Sequence, residues 1–226
     1  MTDILYAWSG GKDSALGLHD LLASGERVAA LLTTITEDYG RVSMHGVREE
    51  LLRRQAEALG LPLDIVRIRA GGGNEEYSAA MRERMEHWRG KGVTRVAFAD
   101  IFLEDLRRWR EERLAEAGMT GVFPLWGLPT HALARRFLYL GFRTVITCVD
   151  GQVLDGSFSG RDFDENFIRD LPAGADPCGE NGEFHSFCWA GPIFHEPVRF
   201  TRGETVLREG RFHFTDLIPA DRPFEG

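Results

Sequence analysis

Two short stretches of the chain hold the residue types and spacings that chemistry needs. The first is Ser9-Gly10-Gly11-Lys12-Asp13-Ser14, with two hydroxyls, two glycines and an ammonium in six positions. Glycine lets the backbone turn through positive φ and approach an anion closely, and a helix starting there points its N–H groups and positive dipole end at the same place. Ser9 and Ser14 would add hydroxyl donors, and Lys12 a compact point charge. Of the 27 basic residues only Lys12 and Lys91 are lysine, so a lysine kept inside a glycine-rich turn stands out. The second stretch is Gly179-Glu180-Asn181-Gly182-Glu183, two carboxylates three residues apart in a glycine-bracketed turn. Such a turn can hold a cation, bind an ammonium ion or act as a base toward an amine.

The elements around these stretches are legible from periodicity. Short apolar runs at Ile4 to Trp8, Val28 to Ile35, Leu63 to Ile68, Arg95 to Ala99 and Thr144 to Val149 read as strands. Between them Ser14 to Ala23, Val47 to Leu59, Glu75 to Trp88, Leu103 to Ala117 and His131 to Leu140 carry apolar residues at helical spacing. Alternation of this kind predicts an α/β fold with a parallel sheet covered by helices. The first glycine turn therefore sits between a strand and a helix N-terminus, the place where an anion is held. It is not a GxxxxGK[ST] loop, because Asp13 follows Lys12 and Tyr6 stands where that pattern needs glycine. After Asp150 the texture changes to Gly- and Asp-rich loops with isolated aromatics, ending in short alternating segments near Val198 to Phe200 and Phe212 to Phe214. The expected division is 1–150 for a nucleotide-binding domain and 151–226 for a C-terminal module that binds substrate and completes catalysis.

Ser9 to Ser14 after a first strand resembles the PP-loop of the ATP pyrophosphatase group. The stretch Asp176-Pro177-Cys178-Gly179-Glu180-Asn181-Gly182-Glu183-Phe184-His185, with Gly191-Pro192 after it, is similar to the C-terminal signature of the diphthine:ammonia ligase family. Leu154-Asp155, Ser157-Phe158, Gly160-Arg161, Ala99-Asp100-Ile101, Pro124-Leu125-Trp126 and Met44-His45-Gly46 fit the segments between. The form present here, with Asn181, Phe184 and His185, resembles a bacterial-type branch. The resemblance implies an adenine nucleotide α-hydrolase-like (HUP, Rossmann-like) five-stranded parallel sheet with a smaller C-terminal α+β module. It implies ATP and magnesium as cofactors, with adenine read near the ends of the first two strands, at Ala7 and Thr33, and phosphates held by Ser9, Gly10, Gly11, Lys12, Asp13 and Ser14. Asp13 is read either as an indirect magnesium ligand or as the acidic residue of a helix N-terminus. The activity implied is an amide ligase that adenylates a carboxylate, releases AMP and pyrophosphate, and passes ammonia or an amine to the acyl group. Lys12, Asp100, Glu180 and Glu183 are the catalytic candidates. His45, in the loop after the second strand, is assigned to the nucleotide. Asn181, His185 and Arg107, the last from a helix that also carries Arg108 and Arg110, are assigned to substrate.

Composition narrows the partners. Twenty-seven basic residues against 35 acidic ones give a net charge of -8, which offers no surplus for a phosphate backbone, so nucleic acid is not expected. The expected partners are ATP, a small or protein-borne carboxylate and ammonia; a homodimer is compatible with the sequence. No apolar run approaches the roughly 20 residues of a membrane span and the start lacks a signal-peptide pattern, so a cytoplasmic location is expected. Cys148, Cys178 and Cys188 have no Cys-x-x-Cys spacing and are read as free thiols. The two other readings are a tRNA-modifying ATP pyrophosphatase and a non-catalytic nucleotide sensor.

Overall fold

The computed structural model describes residues 3–42, 45–69, 71 and 73–221; Met44 lies outside the described residues. Strand β1 (Ile4–Ala7) alternates its side chains between two cores. Ile4 and Tyr6 join one buried cluster, and Leu5 the other, as the two-residue period of a strand requires. Helix α1 (Lys12–Ala23) follows, then β2 (Val28–Thr36) and the two-residue β3 (Arg41–Val42). Next come α2 (Glu49–Leu59), β4 (Leu63–Ile68), α3 (Gly73–Gly90), β5 (Arg95–Ala97), α4 (Glu104–Glu116) and β6 (Thr120–Val122). Strands β4, β2, β1, β5 and β6 lie side by side in that order, every pairing parallel, and β3 adds an antiparallel pairing to the end of β2. Helices α3 and α4 supply Met85 and Leu114 to one face of this sheet. Helices α1 and α2 cover the other with Leu16, Leu18, Leu51 and Leu52.

Strand order reverses at β1: its first crossover leads to β2 on one side, and β5 arrives on the other. The carboxyl ends of β1, β2 and β5 therefore splay apart and leave the crevice in which open α/β sheets bind ligands.

The second half of the chain forms α5 (Thr130–Tyr139), β7 (Arg143–Asp150), α6 (Glu165–Asp170), β8 (Phe184–Ala190), β9 (Phe200–Arg208) and β10 (Phe212–Pro219). Strands β8, β7, β10 and β9 make a separate antiparallel sheet in that order. This corrects the sequence expectation for Thr144 to Val149: that run is the interior of β7 and belongs to the second sheet, while the fifth parallel strand is the short β6. The reason is physical. All of β7 after Arg143 is buried, and a strand buried on both faces reads as a continuous apolar run in either kind of sheet.

The two sheets meet at the glycine turn. The Gly10 carbonyl accepts from the Cys188 N–H of β8 at 2.8 Å and from Gln55 Nε2 of α2 at 2.9 Å. Gln55 Nε2 also donates to the Cys188 carbonyl at 2.5 Å, and Gln55 Oε1 accepts from Trp8 Nε1 at 3.1 Å. Gln55 is completely buried, so each of these bonds replaces one lost to water. We expect Gln55→Ala to orphan one indole N–H and weaken two carbonyl pairings, lowering stability by about 3 kcal/mol. Urea unfolding should show this as a lower midpoint with an unchanged denaturant slope.

Candidate active site

The turn after β1 is shaped by three side chains around it. Gly10 has φ +80°, and a Cβ there would stand 2.7 Å from Gln55 Oε1. Tyr6 donates its hydroxyl to the Ser14 carbonyl at 2.8 Å, which ties the strand to the first turn of α1. The Ser9 and Ser14 hydroxyls are 2.7 Å apart, one atom able to donate to the other. Gly11 is the N-cap of α1 and has no side chain to cap the helix. Among the described residues the Gly11 N–H donates to Ser9 Oγ at 3.3 Å and the Lys12 N–H to Ser186 Oγ of β8 at 3.2 Å, which leaves the next N–H groups of the helix start to meet an anion.

Lys12 turns inward. It is 2% exposed, with Nζ 2.8 and 2.7 Å from the two Asp13 carboxylate oxygens, a further hydrogen bond to the Cys178 carbonyl, and the Phe163 and Phe184 rings about it at 5.6 and 5.5 Å. Burial by itself would lower the ammonium's pKa. The charge of Asp13 leads the influences that more than offset this, so the group lies above its ordinary value and is protonated throughout the neutral range. The Asp13 carboxylate is the lysine's counter-ion and also the acidic residue of the α1 first turn.

The acidic turn places its two glutamates in different situations. Glu183 is buried; its Oε1 accepts from the Asp176 N–H at 2.9 Å and Asn181 Nδ2 at 3.0 Å, and its Oε2 from the Asn181 N–H at 3.0 Å. With both oxygens spent on the turn, Glu183 shapes the loop, and Asn181 belongs to that same internal network. Glu180 instead faces the crevice, its Oε1 accepting from the Ile101 N–H at 2.7 Å just beyond β5. Burial pushes its pKa up to about 7, with the charges of Asp13 and Asp100 adding to the rise and the Ile101 hydrogen bond opposing it. A carboxylate poised at that value can take and return a proton near neutral pH.

Between the sheets lies a cavity of about 540 Å³, within the range that small-molecule ligands occupy. Ala7, Ser9, Gly11, Lys12, Asp13 and Ser14 form its phosphate-loop side. Thr33 from β2, His45, Asp100, Glu180 and His185 complete the set of sequence candidates that reach it. Gly10, Arg107, Asn181 and Glu183 do not reach the wall. Arg107 is held between the Phe123 and Trp126 rings at 4.6 and 4.5 Å and paired with Glu111, away from the cavity wall. The arginine on the wall is Arg110, one turn further along α4, stacked 4.3 Å over Phe98 with Nε 2.7 Å from Asp100. Tyr77, Met81 and Phe98 give the cavity an apolar end remote in sequence from the loop. Sequence reasoning also missed Ser186 and Gln55: one sits in an apolar strand, the other in an amphipathic helix stripe, and only folding brings either to the glycine turn.

The three thiols are buried, and burial raises each above its ordinary pKa, Cys148 and Cys188 to about 12. They are poor thiolate nucleophiles. Among the described residues no group of three or more His, Cys, Asp or Glu side chains is arranged to hold a metal ion, and no helix is long and apolar enough to cross a membrane.

A helix start at the switch point of a parallel sheet, facing a cavity closed by a second sheet that brings a poised carboxylate, defines an α/β protein with a candidate ligand site. The family comparison is specific. Residues 2–121 match the diphthamide synthase N-terminal domain and residues 129–215 the diphthamide synthase C-terminal domain, so the chain belongs to the diphthamide synthase family, whose domains mark an ATP-dependent enzyme. No curated protein matches the chain. Among solved structures, a predicted subunit of tRNA methyltransferase from Methanocaldococcus jannaschii is similar over 63% of this chain and 77% of its own, at 17% identity and a TM-score of 0.44.

The raised pKa of Glu180 has a consequence for stability. A carboxyl whose folded pKa lies above its unfolded value of 4.5 favours the native state most below pH 4.5, and that contribution is lost as pH rises through about 7. The full shift would correspond to about 3 kcal/mol; partial solvent contact reduces it to about 1–2 kcal/mol. Glu180→Gln keeps an acceptor for Ile101 without the charge. Its unfolding free energy should therefore gain on wild type by that amount between pH 4.5 and 7.5, measured by urea titration at each pH.

Proposed function

We propose that the chain is an ATP-dependent amide ligase. In this reading the parallel sheet and its helices hold ATP, with adenine toward Ala7, Thr33 and the apolar end of the cavity and the phosphates over Ser9 to Ser14. The antiparallel sheet and its loops, β7 included, present the second substrate. A carboxylate oxygen attacks the α-phosphorus, the α–β bond breaks, and pyrophosphate departs toward the α1 N-terminus, whose dipole and N–H groups favour the developing charge. Ammonia then attacks the acyl carbon of the mixed anhydride, AMP leaves, and the proton from nitrogen passes to Glu180. Lys12 holds the loop and the acidic turn together through Asp13 and the Cys178 carbonyl. Arg110, already paired with Asp100, is the cavity's candidate for the substrate carboxylate. Magnesium would enter on the phosphates, since the oxygen-rich wall offers carboxylates but no cage of its own.

The observation that carries this reading is the convergence on one cavity of a helix start whose N-cap is glycine and a carboxyl poised near pH 7. The test is product analysis with ATP, magnesium, ammonium and fractionated small metabolites. AMP and pyrophosphate are the expected products; ADP, or no turnover despite nucleotide binding, would overturn the ligase reading. RNA-dependent turnover would favour a tRNA-modifying enzyme instead. Lys12→Ala should lose AMP formation at least a hundredfold. Glu180→Gln should lower the amide-forming step by about 10²-fold or more while leaving adenylation, followed by pyrophosphate exchange, closer to wild type.

A further inference from the structure

The charges on the cavity wall nearly cancel before any ligand arrives. Among the described residues Lys12 is paired with Asp13 and Arg110 with Asp100, which leaves Glu180, half ionised near neutrality, without a cation partner. A polyphosphate entering here meets the partial charge of the α1 dipole but no spare cation. The two remaining basic groups on the wall are His45 and His185.

These imidazoles lie against each other in a tilted arrangement, ring centroids 4.7 Å apart and planes at 45°. His45 Nδ1 is 3.2 Å from the Ser186 carbonyl oxygen. A carbonyl can only accept, so Nδ1 carries the hydrogen and Nε2 is left as the ring's free site. His45 Cε1, between the two nitrogens, stands 3.1 Å from where a Cβ on Gly11 would be, so the ring abuts the phosphate turn itself. Among the described residues neither ring nitrogen of His185 has a hydrogen-bond partner. The groups facing the pair are Lys12 and Asp13 from α1 and Glu180 from the acidic turn, with Asp100 and Arg110 on the wall formed by β5 and α4. The loop that carries His45 is anchored from β10, where Asp216 binds both Arg41 and Arg48.

We propose that the His45–His185 pair is the cationic part of the pyrophosphate site: one ring takes a proton from solvent as the phosphates enter and donates it, as a charge-assisted hydrogen bond, to a phosphate oxygen. In the free protein burial holds both rings below their ordinary pKa, His185 down to about 3, so both are neutral at pH 7. The incoming anion reverses that balance. With centroids 4.7 Å apart, the rings repel a second charge, so the pair takes up one proton and returns it when pyrophosphate leaves. This rests on the reading of Ser9 to Ser14 as a phosphate loop and extends it to a proton-linked affinity.

Imidazole ¹⁵N spectra of the wild-type protein at pH 7.5, with His45 and His185 assigned from His45→Gln and His185→Asn, provide the test with magnesium pyrophosphate as the probe. One of the two rings is expected to change from the neutral to the imidazolium pattern on saturation. Calorimetry in two buffers of different ionisation enthalpy should show about one proton more taken up by wild type than by the double variant, whose pyrophosphate Kd should rise about tenfold or more. Pyrophosphate bound with both rings neutral would overturn the inference and leave the phosphate loop standing. No pyrophosphate binding at all would overturn both, so the two failures are separable, and the spectra of the wild-type protein do not depend on the variants folding.

Discussion

A strand of one sheet finishes the phosphate loop of the other. The glycine turn after β1 must expose the amides of a helix start to a ligand, yet its own carbonyl and the indole of Trp8 are buried and need partners. Strand β8 and Gln55 provide them: the Cys188 N–H and the Gln55 amide converge on the Gly10 carbonyl, while Ser186 reaches the first N–H of α1. Because these bonds run between sheets, the turn's geometry and the placement of the antiparallel sheet are one problem. The cavity between the sheets, the approach of the acidic turn and the seat of His45 against Ser186 all follow from that junction.

The same junction decides the electrostatics. Lys12 is carried into the interface, where Asp13, the Cys178 carbonyl and two phenyl rings surround it. An unpaired ammonium there would be costly to bury, whereas the pair holds α1 to the loop that carries Glu180. The ammonium of the glycine turn is thus already paired within the protein. Beside it on the same cavity lie the helix start, the serine hydroxyls and the two imidazoles. Glu180 stands in the same partly dry space, and that environment, shared with Asp13 and Asp100, lifts it toward neutrality while Glu183, three residues on, is consumed in holding the turn.

Several features were legible in the sequence because they are local. The alternation of apolar runs and helical stripes placed β1, β2, β4, β5 and the helices between them. The strand–glycine–helix order was legible too, since turn chemistry and helix ends depend on residues close in the chain. The acidic turn was likewise visible from its own glycines. Thr144 to Val149 was recognisable as a strand but not as a member of the second sheet, because a doubly buried strand leaves no alternation to show which neighbours it pairs with. Strand β6, three residues long, carries too little pattern to be seen at all.

The sequence by itself therefore determined the class of fold, the family and the position of the glycine turn before the first helix, all properties written in short-range spacing. Tertiary structure alone decided which residues of each motif face the ligand. It drew Arg110 to the wall and set Arg107 between Phe123 and Trp126, a difference of one helical turn whose outcome depends on where those aromatics pack. It separated Glu180 from Glu183, and it brought His45 against His185 across 140 residues of chain, because burial, pairing and pKa arise from neighbours in space that no local spacing encodes.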